Sequence, residues 1–148
     1  LVVLETFRLL SEMRLALEAT RLETDLPVIA QMAFDSDGLT GDGAGPMKVA
    51  QLLREWGADV VGANCGQGIA GFVDICRRLH AATSRPIWIK ANAGLPEVEN
   101  GRTVYRTTPE AFAHHVPALL DAGASYIGGC CGTSPEFIAA LRRQRAAG

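Results

Sequence analysis

The sequence lacks any charge-free apolar stretch of the roughly 18 residues that a membrane helix needs. The longest, Val60 to Val73, is shorter and broken by glycines. Also missing is a basic segment followed by an apolar run and a small-residue cleavage site, so no export signal is read. The four cysteines are therefore expected to be reduced thiols of a cytoplasmic protein, suited to metal or catalytic duty rather than to disulfides. No sign of charge dominates: 14 basic and 16 acidic side chains leave a formal charge of −2, which offers no long-range attraction for nucleic acid or for an anionic membrane. The short basic cluster Arg142, Arg143 and Arg145 suits the last turn of a helix, where cations complement the macrodipole. A dinucleotide loop is not supported either. Gly66-Gln67-Gly68-Ile69-Ala70-Gly71 has the glycine spacing, but no acidic residue ends a strand about 20 residues later.

What is present is a chain of 148 residues, 48% hydrophobic and 20% charged, which fits one compact core and a small-molecule partner. Apolar runs and helical periodicities alternate along it. Leu1 to Leu4 reads as a strand and Phe7 to about Leu22 as a helix with Leu10, Met13 and Leu17 on one face. Val28 to Phe34 is a second strand, and the glycine- and aspartate-rich Asp35 to Gly45 a loop. Pro46 opens a helix carrying Val49, Leu53 and Trp56, and Gly57 caps it. The strand ending at Cys65 follows, then a helix with Ile69, Phe72, Val73, Cys76 and Leu79 inward. Ile87 to Lys90 is a fourth strand, with a long loop from Asn92 to Thr107. Thr108 and Pro109 then start a helix whose apolar face is Phe112, Val116, Leu119 and Leu120, and Gly123 ends it. A fifth strand ends at Cys130-Cys131, and Ser134-Pro135 begin a last helix with Phe137, Ile138 and Leu141 inward.

Five strands and five helices in strict alternation predict right-handed βαβ units and a parallel sheet. The sheet can be an open, doubly wound one or part of a closed barrel, and an internal echo favours the barrel. Gly57, Ala58, Gly62, Cys65 and Gly66 recur as Gly123, Ala124, Gly128, Cys131 and Gly132 at one offset of 66 residues, which is two βα units. Strands two units apart in a (β/α)8 barrel present side chains to the same point at the C-terminal mouth. The fold class expected is the C-terminal portion, about five βα units, of such a barrel, with residues 1–148 one domain and the N-terminal strands missing. The absence of an initial methionine agrees with that expectation.

Cys65, Cys130 and Cys131 each stand where an apolar run stops. Three thiolates meeting at one mouth would bind a soft cation, zinc above all, and leave a fourth position open for a substrate thiol. Alkyl transfer to sulfur is the chemistry such a site favours. Cys76, on a helix face, reads as a small buried hydrophobe.

At these residues the chain resembles the homocysteine S-methyltransferase family, and within it the homocysteine-binding barrel of the cobalamin-dependent methionine synthases. The matching segments are Glu5-Thr6-Phe7, Gly62-Ala63-Asn64-Cys65, Asn92-Ala93-Gly94-Leu95-Pro96, Val98-Glu99-Asn100-Gly101 with Tyr105, and Gly128-Gly129-Cys130-Cys131-Gly132-Thr133 followed by Pro135-Glu136. The resemblance implies that Cys65, Cys130 and Cys131 are zinc ligands and that homocysteine sulfur takes the fourth place. It further implies that Glu5 binds the homocysteine ammonium. Asn92, at a strand end, either donates to the substrate carboxylate or braces the loop after it. Asp35, similarly placed, reads equally as a loop cap, and His114 and His115 as surface or packing residues. The implied product is methionine and the implied donor methylcobalamin, recharged from methyltetrahydrofolate, with cobalamin on a separate domain or protein. Betaine or S-methylmethionine as direct donor, or a non-catalytic zinc-binding fragment, are the alternatives. Two departures from the family pattern stand out: Ala91 where many relatives have proline, and a shortened Asp37 to Gly41 loop without an arginine. An isolated open barrel piece would expose a strand edge and apolar interior, so this chain alone is predicted to self-associate. Sizing chromatography showing a well-behaved monomer that melts cooperatively would overturn that.

Overall fold

The computed structural model describes residues 1–146. In chain order its elements are β1 (Val2–Phe7), α1 (Leu10–Glu23), β2 (Val28–Met32), α2 (Pro46–Glu55), β3 (Val60–Gly68), a single 3-10 turn (Ile69–Gly71), α3 (Phe72–Ala82), β4 (Ile87–Asn92), β5 (Glu97–Glu99), β6 (Arg102–Val104), α4 (Pro109–Ala113), α5 (Val116–Asp121), β7 (Ala124–Gly129) and α6 (Pro135–Ala146). One parallel sheet runs β1-β2-β3-β4-β7, and β5-β6 is a separate antiparallel pair. The expected alternation of five strands with helices is what the chain adopts.

The core lies between the sheet and its helices. Val28 and Ala30 on β2, Val61 and Ala63 on β3, and Ile87, Ile89 and Ala91 on β4 are fully buried and join Met13, Leu17, Val49, Leu53, Phe72 and Leu79 of α1 to α3. Strand side chains alternate between faces, so these residues point to the helices and their neighbours to the other, concave face. Arg21 ties the N-terminal ends of the strands together: its guanidinium donates to the Gly57 carbonyl at 2.5 Å and pairs with Asp59 at 2.6 Å. Asp59 also accepts the Val28 N–H, and with Arg21 this holds its carboxyl below the usual range.

Four details differ from the sequence expectation. First, β1 runs to Phe7 and α1 starts only at Leu10, because the Phe7–Met32 pairing prolongs the strand past an irregularity at Glu5-Thr6. Second, the loop after β4 contains a hairpin. Asn100 and Gly101 have φ of 50° and 75° between Glu99 and its partner Arg102, the backbone that a two-residue Asn-Gly turn prefers. Third, the helix after Thr108 is broken at His114-His115 into α4 and α5. Pro117 has no N–H to give and its ring crowds the preceding turn. Fourth, Leu120 and Ile138, expected to face inward, are 43% and 50% exposed. They border an open groove of about 380 Å³ along β7 with Trp88, Tyr126, Leu141 and Arg145. Among the described residues no helix is long and apolar enough to cross a membrane.

The exposed face of α5 yields a paired test. Leu119→Ala removes a side chain with no exposure and should cost about 2–5 kcal/mol, whereas Leu120→Ala should change stability by no more than about 0.5 kcal/mol. Denaturant unfolding of the two variants measures the difference.

Candidate metal and thiol site

β4 lies between β3 and β7, and the registers on its two sides set the site. Asn64 pairs with Lys90 and Cys65 with Ala91 on one side; Lys90 pairs with Gly128 and Ala91 with Gly129 on the other. Cys65 and the Cys130-Cys131 pair therefore arrive on either side of Ala91-Asn92 at the C-terminal edge of the sheet. The Cys65 and Cys131 sulfurs are 3.9 Å apart, and the Sγ atoms of Cys65, Cys130 and Cys131 all lie within 4.8 Å of one another. Cys76 is elsewhere, buried on α3 with its thiol directed at the Ala122 carbonyl (3.7 Å), and burial pushes its pKa up to about 11.

Backbone conformation aims the sulfurs. Cys65 and Gly66 both have left-handed φ, 60° and 63°, and a Cβ at 66 would stand 2.7 Å from the Phe34 carbonyl oxygen. That position admits only glycine. On the other side Gly132 turns the chain away after Cys131 with φ of 76°, and a Cβ there would run into the Tyr105 ring.

Two buried asparagines brace this arrangement. The Asn92 amide donates to the Gly66 carbonyl at 3.0 Å and toward Cys65 Sγ at 3.7 Å, and its oxygen accepts the Cys131 N–H at 3.0 Å. Asn64 accepts the Thr6 N–H at 2.8 Å, and donates to the Thr6 hydroxyl at 2.7 Å and toward Cys130 Sγ at 3.7 Å. Asn92 thus holds the segments that carry Cys65 and Cys131. Asn64 had no role assigned from sequence; a polar residue inside the apolar run before Cys65 was the available signal.

Three thiols this close oppose each other's ionisation. The Cys131 thiol is pushed up to about 11, first by desolvation and then by the Cys130 and Cys65 sulfurs beside it. A soft cation reverses that preference, because it replaces sulfur–sulfur repulsion with attraction. Tetrahedral thiolate bonds of about 2.3 Å place sulfurs about 3.8 Å apart, close to the 3.9 Å found between Cys65 and Cys131. The donor set fits zinc, and three protein ligands would leave one position for an exchangeable ligand.

Glu5 sits on β1, where Thr6 adopts φ of 65°, and its carboxylate forms an ion pair with Lys90 of β4. Sequence reasoning missed Lys90, whose type gave no sign that it faces Glu5 across the sheet. Asp35 is an exposed partner of Arg8, at 2.8 Å. His114 and His115 lie at the α4–α5 break, away from the cysteines.

Comparison with known proteins gives the family. The family model for homocysteine S-methyltransferase matches residues 1–145. The chain belongs to the homocysteine S-methyltransferase family. It is 31% identical over 122 residues to methionine synthase of Mycobacterium tuberculosis and 30% identical to that of Mycobacterium leprae, in each case across 80% of this chain and 10% of the relative. Among solved structures it resembles the homocysteine methyltransferase MmuM from Escherichia coli. The metallated form matches with a TM-score of 0.78 at 24% identity, over 97% of this chain and 44% of that one. The oxidized form matches with a TM-score of 0.75 at 27% identity, over 97% and 45%. The chain thus spans about a tenth of these curated relatives and under half of these two solved chains. The five-stranded parallel sheet with its helices is part of the (β/α)8 barrel of this family.

A soft-metal site of this family member is predicted to depend on its braces and on pH. Asn92→Ala should weaken cation affinity by about ten- to a hundredfold. Each thiol must lose a proton to ligate, and the raised Cys131 makes that harder, so affinity should fall as pH falls and more than one proton should be released per ion bound. Chelator competition at several pH values measures both.

Proposed function

We propose that this chain is the thiol-activating region of a zinc-dependent homocysteine S-methyltransferase, which methylates homocysteine to methionine with methylcobalamin, recharged from methyltetrahydrofolate, as donor. The observation that carries the reading is the convergence of three sulfurs from two strand ends to within 4.8 Å of one another, in a chain of this family.

Cys65, Cys130 and Cys131 would hold the zinc ion. Bound there, zinc supplies Lewis acidity that favours loss of the substrate thiol proton, while the charge of three thiolates keeps the substrate sulfur nucleophilic. Asn64 and Asn92 direct amide N–H groups at Cys130 and Cys65, which stabilises those sulfurs as anions and fixes their directions. Glu5 takes the homocysteine ammonium as a charge-assisted hydrogen bond. Cys131 is exposed, which leaves the cluster open to an incoming thiol. The sulfur lone pair then forms the new S–C bond as the methyl group's bond to the donor breaks, and the bonding pair stays with the donor. In this reading further barrel strands, upstream of Leu1, complete the substrate wall. The four unpaired cysteines are in keeping with a cytoplasmic setting.

Methionine formation by the full-length protein, assayed with methylcobalamin plus methyltetrahydrofolate, with betaine and with S-methylmethionine, tests the reading. Activity is expected with the first, activity only with another reassigns the donor, and none with any overturns the proposal. Zinc-edge X-ray absorption should change from three sulfur neighbours and one light atom to four sulfurs on addition of homocysteine. Cys131→Ala should abolish zinc retention, and normal zinc content in that variant would remove it from the ligand set.

A further inference from the structure

Strand parity puts a second set of groups beside the sulfurs. Gln31 pairs with Gly62 and Gly62 with Trp88, while Asn64 pairs with Lys90 and Lys90 with Gly128. Side chains two residues apart share a face, so Gln31, Asn64, Trp88 and Lys90 all project to the concave side, opposite the helices. Glu5 joins them from β1, where Leu4 still pairs with Ala30 on the other parity. The left-handed Thr6 that follows, locked by two hydrogen bonds with Asn64, one given and one accepted, makes a local irregularity of the kind that re-aims a side chain.

The result is one pair of opposite charges beneath the thiol site. Lys90 reaches from β4 over β3 and β2 to Glu5, and its ammonium also stands 5.6 Å from the centre of the Trp88 ring. The Lys90 side chain is 18% exposed and that of Glu5 41%, so each is open enough to change partner. Asn64 links the pair to the sulfurs, since the amide that holds Thr6 also points at Cys130. Gly128, opposite Lys90 on β7, leaves the space beside the lysine stem free; a Cβ there would be 3.4 Å from Lys90 Cγ. Gln31 adds a buried side-chain oxygen with no hydrogen-bond partner on the same face.

We infer that Lys90 is the residue that receives the substrate α-carboxylate, so that Glu5 and Lys90 together select a zwitterionic amino acid. This deepens, and rests on, the proposed function. An α-amino acid carries the complementary charges on one carbon. Entering the site, it exchanges one ion pair for two: Glu5 takes the ammonium and Lys90 the carboxylate. No charge is left unpaired by the exchange, which avoids the cost of burying a lone ion. With both groups of the α-carbon held, a thiol two methylenes away is directed toward Cys65 and Cys131. The pair also explains how the empty site is kept stable, because each charge neutralises the other until substrate arrives.

Three thiols separate the contributions when titrated calorimetrically into the zinc-loaded full-length protein: homocysteine, 3-aminopropane-1-thiol, which lacks the carboxylate, and 4-mercaptobutanoate, which lacks the ammonium. Lys90→Met should weaken homocysteine and 4-mercaptobutanoate by roughly ten- to a hundredfold, the worth of a charge-assisted hydrogen bond, and should not weaken 3-aminopropane-1-thiol, for which it frees Glu5 of a competing partner. Lys90→Arg should retain most of the homocysteine affinity. Glu5→Gln should show the reciprocal pattern, weakening the two amines and sparing 4-mercaptobutanoate. Equal loss of all three thiols in Lys90→Met, or no loss of homocysteine, overturns the role of Lys90 while leaving the thiol site standing. Unaltered protein that retains no zinc or binds no thiol overturns the functional reading, and this inference with it.

Discussion

Everything at the site depends on parallel pairing in one register on both sides of β4. Cys65 and Cys131 are 66 positions apart in sequence and 3.9 Å apart in space because β3 and β7 both pair with the C-terminal end of β4, Cys65 and Gly129 on either side of Ala91. A slip of one residue in either ladder would turn its whole set of side chains to the opposite face. The sulfurs do not guard against that slip themselves. The guard is the buried alternation behind them, with Val61, Ala63, Ile87, Ile89 and Ala91 all without exposure against the helices. Hydrophobic burial on one face thus positions chemistry on the other.

Local strain is concentrated at the same edge. Thr6 and Cys65, both with side chains that disfavour left-handed backbone, adopt φ of 65° and 60°, and conformations of this kind persist only where their surroundings over-determine them. The surroundings here are Asn64 and Asn92, buried polar residues that satisfy their hydrogen bonds on the strained segments and turn the remaining N–H toward sulfur. Two amides therefore couple backbone geometry to the electrostatics of the thiols. The arrangement also joins β1 to β7 across the concave face, from Thr6 through Asn64 to Cys130.

Much of this was legible in the chain. The alternation of strand and helix, the five βα units, the buried positions Leu10, Met13 and Leu17, and the clustering of Cys65, Cys130 and Cys131 follow from periodicity and from the 66-residue echo. Short-range signals were missed where two overlapped. Pro117 lies inside an otherwise helical pattern and breaks it, and Asn100-Gly101 makes a tight turn within what reads as loop. Leu120 and Ile138 have helical spacing but border the groove along β7 rather than the core. Periodicity tells which residues share a helix face, not how far the facing element extends.

By itself the sequence determined the five strands of the main sheet, the helices between them and the thiols at the strand ends, because those depend on local backbone preference and on side-chain type. It determined the repeat that brings two strand ends to equivalent depths. Only the tertiary structure decided that Lys90 meets Glu5, and that Asn64 and Asn92 serve the sulfurs. Those partners lie 27 to 85 positions apart, and such pairings are set by sheet curvature and strand register, which no single segment encodes.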